Sequence, residues 1–142
     1  VAVELSRLFH RVVASDSSAA QLSHATARPN VQYVQAAAEQ LQGDPGAADL
    51  VCAAQALHWF DRPAFYAQAA RVLKPSGVLA AWCYGRPRFA SPPGRPLPAA
   101  ALEAANALIE ELYSGTLGAY WDDRRTLVER AYEVSQQQAQ CI

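Results

Sequence analysis

At 142 residues, 51% hydrophobic and 18% charged, the chain is long enough for one domain with a sizeable core and too apolar to be disordered. Its formal net charge of −1 offers no bulk attraction to nucleic acid or an anionic bilayer, and no apolar run nears the roughly 20 residues that span a membrane. Three cysteines, Cys52, Cys83 and Cys141, lie far apart with no CxxC spacing, so no metal site or disulfide framework is expected, and a reduced, cytoplasmic setting is.

The chain contains no methionine and opens in mid-pattern with "VAVELSRLF", so Val1 is expected to lie inside a domain whose beginning is absent. No basic-then-apolar leader stands at the start. Val1, Leu5, Leu8 and Phe9 have helical spacing, with Arg7 and His10 in the last turn, where cations suit the dipole. "RVVAS" is a short β-branched strand stopping at Asp16. "SSAAQLSHAT" reads as a helix capped by Ser17 or Ser18 and closed by Pro29-Asn30.

"VQYVQ" is a second strand, followed by "AAAEQL" and the turn "GDPG". "ADLVCAA" is a continuous apolar strand of the kind covered on both faces. Asp61 and Pro63 mark a helix start, and "AFYAQAARVL" buries Phe65, Ala69, Val72 and Leu73. "KPSG" ends that helix and "VLAAWCY" is a further strand. Strands alternating with helices across short turns imply an α/β fold with a parallel sheet.

The proline-rich, basic stretch 85–98, "GRPRFASPPGRPLP", breaks this rhythm and reads as a surface loop or a lid. Beyond it "AAALEAANALIEELY" is an amphipathic helix through Leu102, Ala105, Leu108, Ile109 and Leu112. The expected organisation is an α/β domain over 1–84, the loop at 85–98, a helical segment of the same domain over 99–132, and a frayed tail at 133–142.

In an open parallel sheet, ligands bind beyond the carboxyl ends of the strands. Asp16, the pair Ala38-Glu39 and the stretch from Gln55 to Asp61 all fall there. Asp16 can accept both ribose hydroxyls of a nucleoside or simply cap the next helix. Glu39 can face a ligand or favour a helix dipole. His58 can be a general base, a hydrogen-bond donor or a buried histidine. Of Trp59 and Phe60, at least one is expected to fill core under the helix.

"RVVASDSSAAQL", "VQYVQAAAEQL", "ADLVCAAQALHWFDRPAFYAQAARVLKPSGVLAAWCYG" and "GAYWDDRRTLVERAYE" together resemble the class I S-adenosylmethionine-dependent methyltransferases. The subgroup they are most similar to holds the methyltransferase type 11 domain, with trans-aconitate methyltransferase-like relatives. The resemblance covers about residues 1 to 132, and "QALHWFD" followed by a helix and "LKPSGVLAAW" is its most specific part.

It implies a Rossmann-like sheet, S-adenosylmethionine as cofactor and a small-molecule acceptor. Asp16, with Ser17 beside it, matches the acidic position that binds the cofactor's ribose. Ala38 matches the small residue whose backbone meets the adenine, with Glu39 adjacent. Gln55, Ala56 and His58 match the segment flanking the methionine part and the acceptor pocket, and His58 is the one candidate general base.

Two departures stand out. The family's glycine-rich loop has no counterpart here, and Ala37 stands where many relatives carry an acid. The family's first strand lies centrally, so without it "RVVAS" and "DLVCA" each expose unpaired backbone groups. Buried, each such group costs about 1–3 kcal/mol. The chain alone is therefore expected to be poorly stable, or to close those two strands on each other. Two other readings remain: a non-catalytic remnant of a methyltransferase, and a nicotinamide-dependent oxidoreductase. The latter is opposed by "QALHWFD" and by the lack of a Tyr-x-x-x-Lys pair, Lys74 being the sole lysine.

Overall fold

The β-branched pair Val12-Val13 opens β1 (Val12–Asp16), and "VQYVQ" forms β2 (Val31–Gln35) over the expected residues. In the computed structural model, residues 1–130 and 132 are described; the expected tail and Cys141 lie outside them. β1 and β2 run parallel, in register from Val12 opposite Val31 to Asp16 opposite Gln35. The crossover carries α2 (Ala19–Ser23), whose cap is Ser18: its hydroxyl accepts the Gln21 amide at 3.3 Å.

A second unit of the same kind follows. β3 (Ala48–Ala54) covers "ADLVCAA", α3 (Arg62–Val72) makes the crossover, and β4 (Leu73–Trp82) returns parallel to β3. Asp61 caps α3 by accepting the Ala64 amide at 3.2 Å, and Pro63 fits the first turn, where no amide is needed. Phe65, Tyr66, Ala69 and Val72 are buried on α3, together with Val51 and Ala53 of β3. Leu73 leaves the expected helical stripe to start β4, and Tyr66 takes the buried place instead. β3 is also less enclosed than its apolar run implies: Val51 and Ala53 on one face are buried, but Leu50, Cys52 and Ala54 on the other are only half-buried.

The parallel α/β architecture is as expected, but the sheet is in two halves. Among the described residues β1 pairs only with β2 and β3 only with β4, so the direct closure of β1 on β3 is not formed. Along β1, Val12 to Ala14 are half-buried while Ser15 and Asp16 are exposed, which leaves its edge groups within reach of water. No described helix is long and apolar enough to cross a membrane.

The expected helix over residues 1–9 is shorter. α1 spans Ala2–Leu5, and Leu8 is 79% exposed. The Asn30 amide donates to the Ser6 and Phe9 carbonyls at 2.8 and 2.9 Å, taking acceptors that a continuing helix would use.

The chain divides into two compact units, Val1–Trp82 and Cys83–Glu133. In the second, α4 (Ala99–Glu110) occupies the expected amphipathic segment and widens into a looser helical turn at Glu111–Thr116, before α5 (Arg125–Glu129). None of the stripe residues Leu102, Ala105, Leu108, Ile109 and Leu112 is fully buried. Segment 85–98 is irregular and tied to α4: Asn106 bonds both the amide and the carbonyl of Phe89, and Arg86 bonds Glu110.

The Arg86 hydrogen bond, then that of Ser114, holds the Glu110 carboxyl below the usual carboxylate range. A depressed folded-state pKa means the link is at full strength above the unfolded carboxylate range. It is lost as pH falls through the lowered folded value. The Glu110 side chain is expected to titrate, by carboxyl NMR shift, below an ordinary glutamate, and Arg86→Ala to bring it back. Because the pair is exposed, salt is expected to narrow that difference.

Candidate functional site

The segments that follow β1, β2 and β3 carry the candidate residues. At the end of β1, the exposed Asp16 turns its Oδ1 to the Ser18 amide at 2.8 Å. An ionised carboxylate has about four acceptor sites, so this local turn leaves capacity for a ligand hydroxyl. Ser17 is exposed and engaged through its backbone, its carbonyl accepting from Gln35 Nε2 at 3.1 Å. The Asp16 carbonyl accepts the Ala36 amide at 3.1 Å, so the chain leaving β2 begins beside Asp16.

Beyond β2, Ala38 and Glu39 sit in a single tight turn, Ala38–Gln40. Beyond β3, Gln55 adopts φ +51°, a left-handed conformation uncommon for a residue with a side chain. Its amide donates to the Trp82 carbonyl at 2.8 Å, extending the β3–β4 ladder by one bond while the chain turns away. Ala56 then leads into a second tight turn, Leu57–Trp59. A non-glycine residue held left-handed at the exit of a strand is the kind of local strain that clusters at ligand sites.

A side-chain hydrogen bond joins the two exits. Glu39 Oε1 accepts the backbone amide of Asp61 at 2.7 Å. This bond places the segments following the carboxyl ends of β2 and β3 against each other, and β2 carries Asp16 through the β1 register. Asp16, Ala38-Glu39 and Gln55–Asp61 are therefore linked through the chain and this bond, although the two strand pairs do not share a sheet.

His58 is buried, 8% exposed, with its ring 4.9 Å from that of Trp59. Trp59 is 56% exposed, whereas Phe60 is half-buried and packs against the core at Phe65, 4.9 Å between centroids. The contact between Glu39 and Asp61 was not visible in the sequence: 22 residues separate the two, and a carboxylate–amide bond leaves no pattern. The missing Glu or Gln at position 64, three residues after the helix cap, was the one available hint. Two cavities lie elsewhere, one of about 330 Å³ lined by Arg86, Arg88 and Asn106, the other of about 400 Å³ lined by Phe9, His10 and Asn30.

A family model described as "Methyltransferase domain" matches residues 1–81, the segment holding β1 to β3 and all of β4 but its last residue. The chain belongs to the methyltransferase domain family. A Dictyostelium discoideum protein named "Putative methyltransferase" is 31% identical over 131 residues, which are 92% of this chain and 46% of that protein. A Saccharomyces cerevisiae protein named "Probable S-adenosylmethionine-dependent methyltransferase CRG1" is 30% identical over 89 residues, 57% of this chain and 31% of that one.

Among solved structures, that of an Anaeromyxobacter dehalogenans protein described as a "Putative Type II Methyltransferase" superposes with a TM-score of 0.72 at 35% identity. The match covers 92% of this chain and 51% of that one. The chain thus has a Rossmann-like fold, as that structure does, and it spans about half the length, or less, of the relatives named here.

Proposed function

We propose that this methyltransferase domain binds S-adenosylmethionine along the rim from Asp16 to His58, and that the whole protein methylates a small-molecule acceptor. The single observation that supports this most is the Glu39–Asp61 bond, which joins the segments that leave the parallel strands β2 and β3. The residues suit the cofactor: an exposed carboxylate for ribose hydroxyls at Asp16, small side chains at Ala38 and Ala56, and a left-handed Gln55 just before Ala56. Ser17 contributes from beside Asp16. The trans-aconitate methyltransferase-like placement is the finer reading, and it rests on "QALHWFD" and "LKPSGVLAAW".

S-adenosylmethionine supplies a methyl on a sulfonium, whose displacement leaves a neutral thioether. The domain's work is then alignment, and holding two reactants in line can contribute about 7–11 kcal/mol. His58 is the group that takes a proton from an acceptor that must lose one, acting on a molecule seated in the rim rather than on bulk water. Unchanged turnover in His58→Gln would remove it from that role.

Calorimetric titration with S-adenosylmethionine tests the reading. Saturable heat is expected, and Asp16→Ala is expected to weaken binding about tenfold, the loss of a hydrogen bond to a charged group. The split sheet favours a second reading, a chain that keeps the rim but does not load cofactor. Under the first reading, a further strand between β1 and β3 joins the halves in the whole protein. Absence of saturable heat from the chain alone, with binding restored in the longer protein, would establish that dependence; absence in both would end the cofactor assignment.

A further inference from the structure

The start of α3 lacks half of a common device. In a capping box, the cap side chain bonds the amide three residues on, and a Glu or Gln at that third position reaches back to the amide of the cap residue. Here Asp61 Oδ1 accepts from the Ala64 amide, which is the first half. Position 64 is alanine, so no local side chain can return the second bond. Glu39 returns it instead: its Oε1 takes the Asp61 amide from a turn on the far side of β3 in the chain.

We infer that Glu39 is a positioning residue, completing the cap of α3 from a distance and so fixing the Gln55–Asp61 segment relative to Ala38. The inference rests on the cofactor reading above, and it changes the role of one residue in it. Glu39 acts on protein backbone, not on the adenine beside Ala38. Three features converge on this. The bond is short, it uses a charged acceptor, and it meets a helix N-terminus where negative charge is favoured. α3 is 11 residues long, and its buried Phe65 donates its amide to the Asp61 carbonyl at 2.8 Å, so the cap is continuous with the core. The Glu39–Asp61 bond ties Ala38-Glu39 to the first residue of the cap, while Arg71, farther along α3, donates to the Leu41 and Gly43 carbonyls at 2.6 and 2.9 Å and holds the rest of the segment after β2.

The conservative variant separates this role from a ligand contact, because a Gln side-chain oxygen still accepts an amide but carries no charge. Amide hydrogen exchange at Asp61 is the direct readout, with Val51 in β3 as internal reference. Glu39→Ala and the shorter Glu39→Asp are expected to speed Asp61 exchange about tenfold or more while Val51 stays unchanged, and Glu39→Gln to keep Asp61 protected. Where Glu39→Ala also speeds Val51, the Gln variant decides alone: protection kept supports the clamp, protection lost overturns it. Unchanged Asp61 exchange in Glu39→Ala overturns it as well. S-adenosylmethionine affinity is the second arm, with Glu39→Gln expected within about twofold of the unaltered chain. A Gln variant that keeps Asp61 protected but binds as weakly as the Ala variant would make Glu39 a charged ligand contact. If no variant binds cofactor, the exchange arm still decides the clamp, and only the cofactor reading fails.

Discussion

Phe65→Ala is expected to destabilise the Val1–Trp82 unit by about 3–5 kcal/mol, the cost of emptying a buried aromatic site. Phe65 is 2% exposed and is the largest fully buried side chain among the described residues, and its ring meets those of Phe60 at 4.9 Å and Tyr66 at 5.8 Å. Both neighbours are anchored to the start of α3, so the site has little freedom to collapse around the void. Against a typical stability of about 5–15 kcal/mol, such a loss takes a large part of the whole. Urea unfolding should show a lower midpoint with an unchanged slope. Phe65→Leu, which refills most of the volume, should cost far less. An unfolding free energy for Phe65→Ala within about 0.5 kcal/mol of the unaltered chain, on the scale of ordinary surface substitutions, would mean that this ring cluster is not the core. Because Phe60 belongs to the candidate site's own segment, the same substitution should also loosen the rim.

The second large effect is expected at Gly77. Between the pairs Ala48–Leu73 and Leu50–Val78 the register slips, and β4 accommodates "KPSG" as a bulge against a single residue of β3. A Cβ at position 77 would lie 2.8 Å from Leu73 Cδ2, 2.9 Å from the Ala48 carbonyl oxygen and 3.0 Å from the Lys74 carbonyl oxygen. Leu73 can swing aside, but the two oxygens belong to backbone on both sides of the bulge and cannot. Gly77→Val is expected to cost about 3 kcal/mol, the upper end of overpacking penalties, and Gly77→Ala somewhat less. The signature is again a lowered unfolding midpoint. Ser76→Ala, on the exposed neighbour, serves as the control and should be close to neutral. Equal midpoints for Gly77→Val and Ser76→Ala would show that the bulge opens without resistance.

The strands and caps were legible because each is written locally. "VQYVQ" and "ADLVCAA" are bounded by turn residues and became β2 and β3 without adjustment. Ser18 and Asp61 cap helices because a short acceptor before an apolar run has little else to do. What stayed illegible depends on residues distant in the chain. α1 ends early because Asn30, 24 residues from Ser6, takes its carbonyl. Leu73 reads as the last member of a helical stripe, but its pairing with Ala48 claims it for β4. In the site, the exits after β1, β2 and β3 could be located from strand ends alone. The atom that ties two of them together could not, because Glu39 serves a helix it does not belong to.

The halved sheet also governs the order in which the molecule can assemble. Val12 meets Val31, 19 residues on, and Leu50 meets Val78, 28 residues on, so each strand pair is completed by the helix-bearing loop between its own strands. Closing loops of that size carries a modest entropy cost, and the described ladders do not require one pair to wait for the other. Two nuclei can therefore form side by side. The rim draws on both pairs, so it is complete only when each has formed.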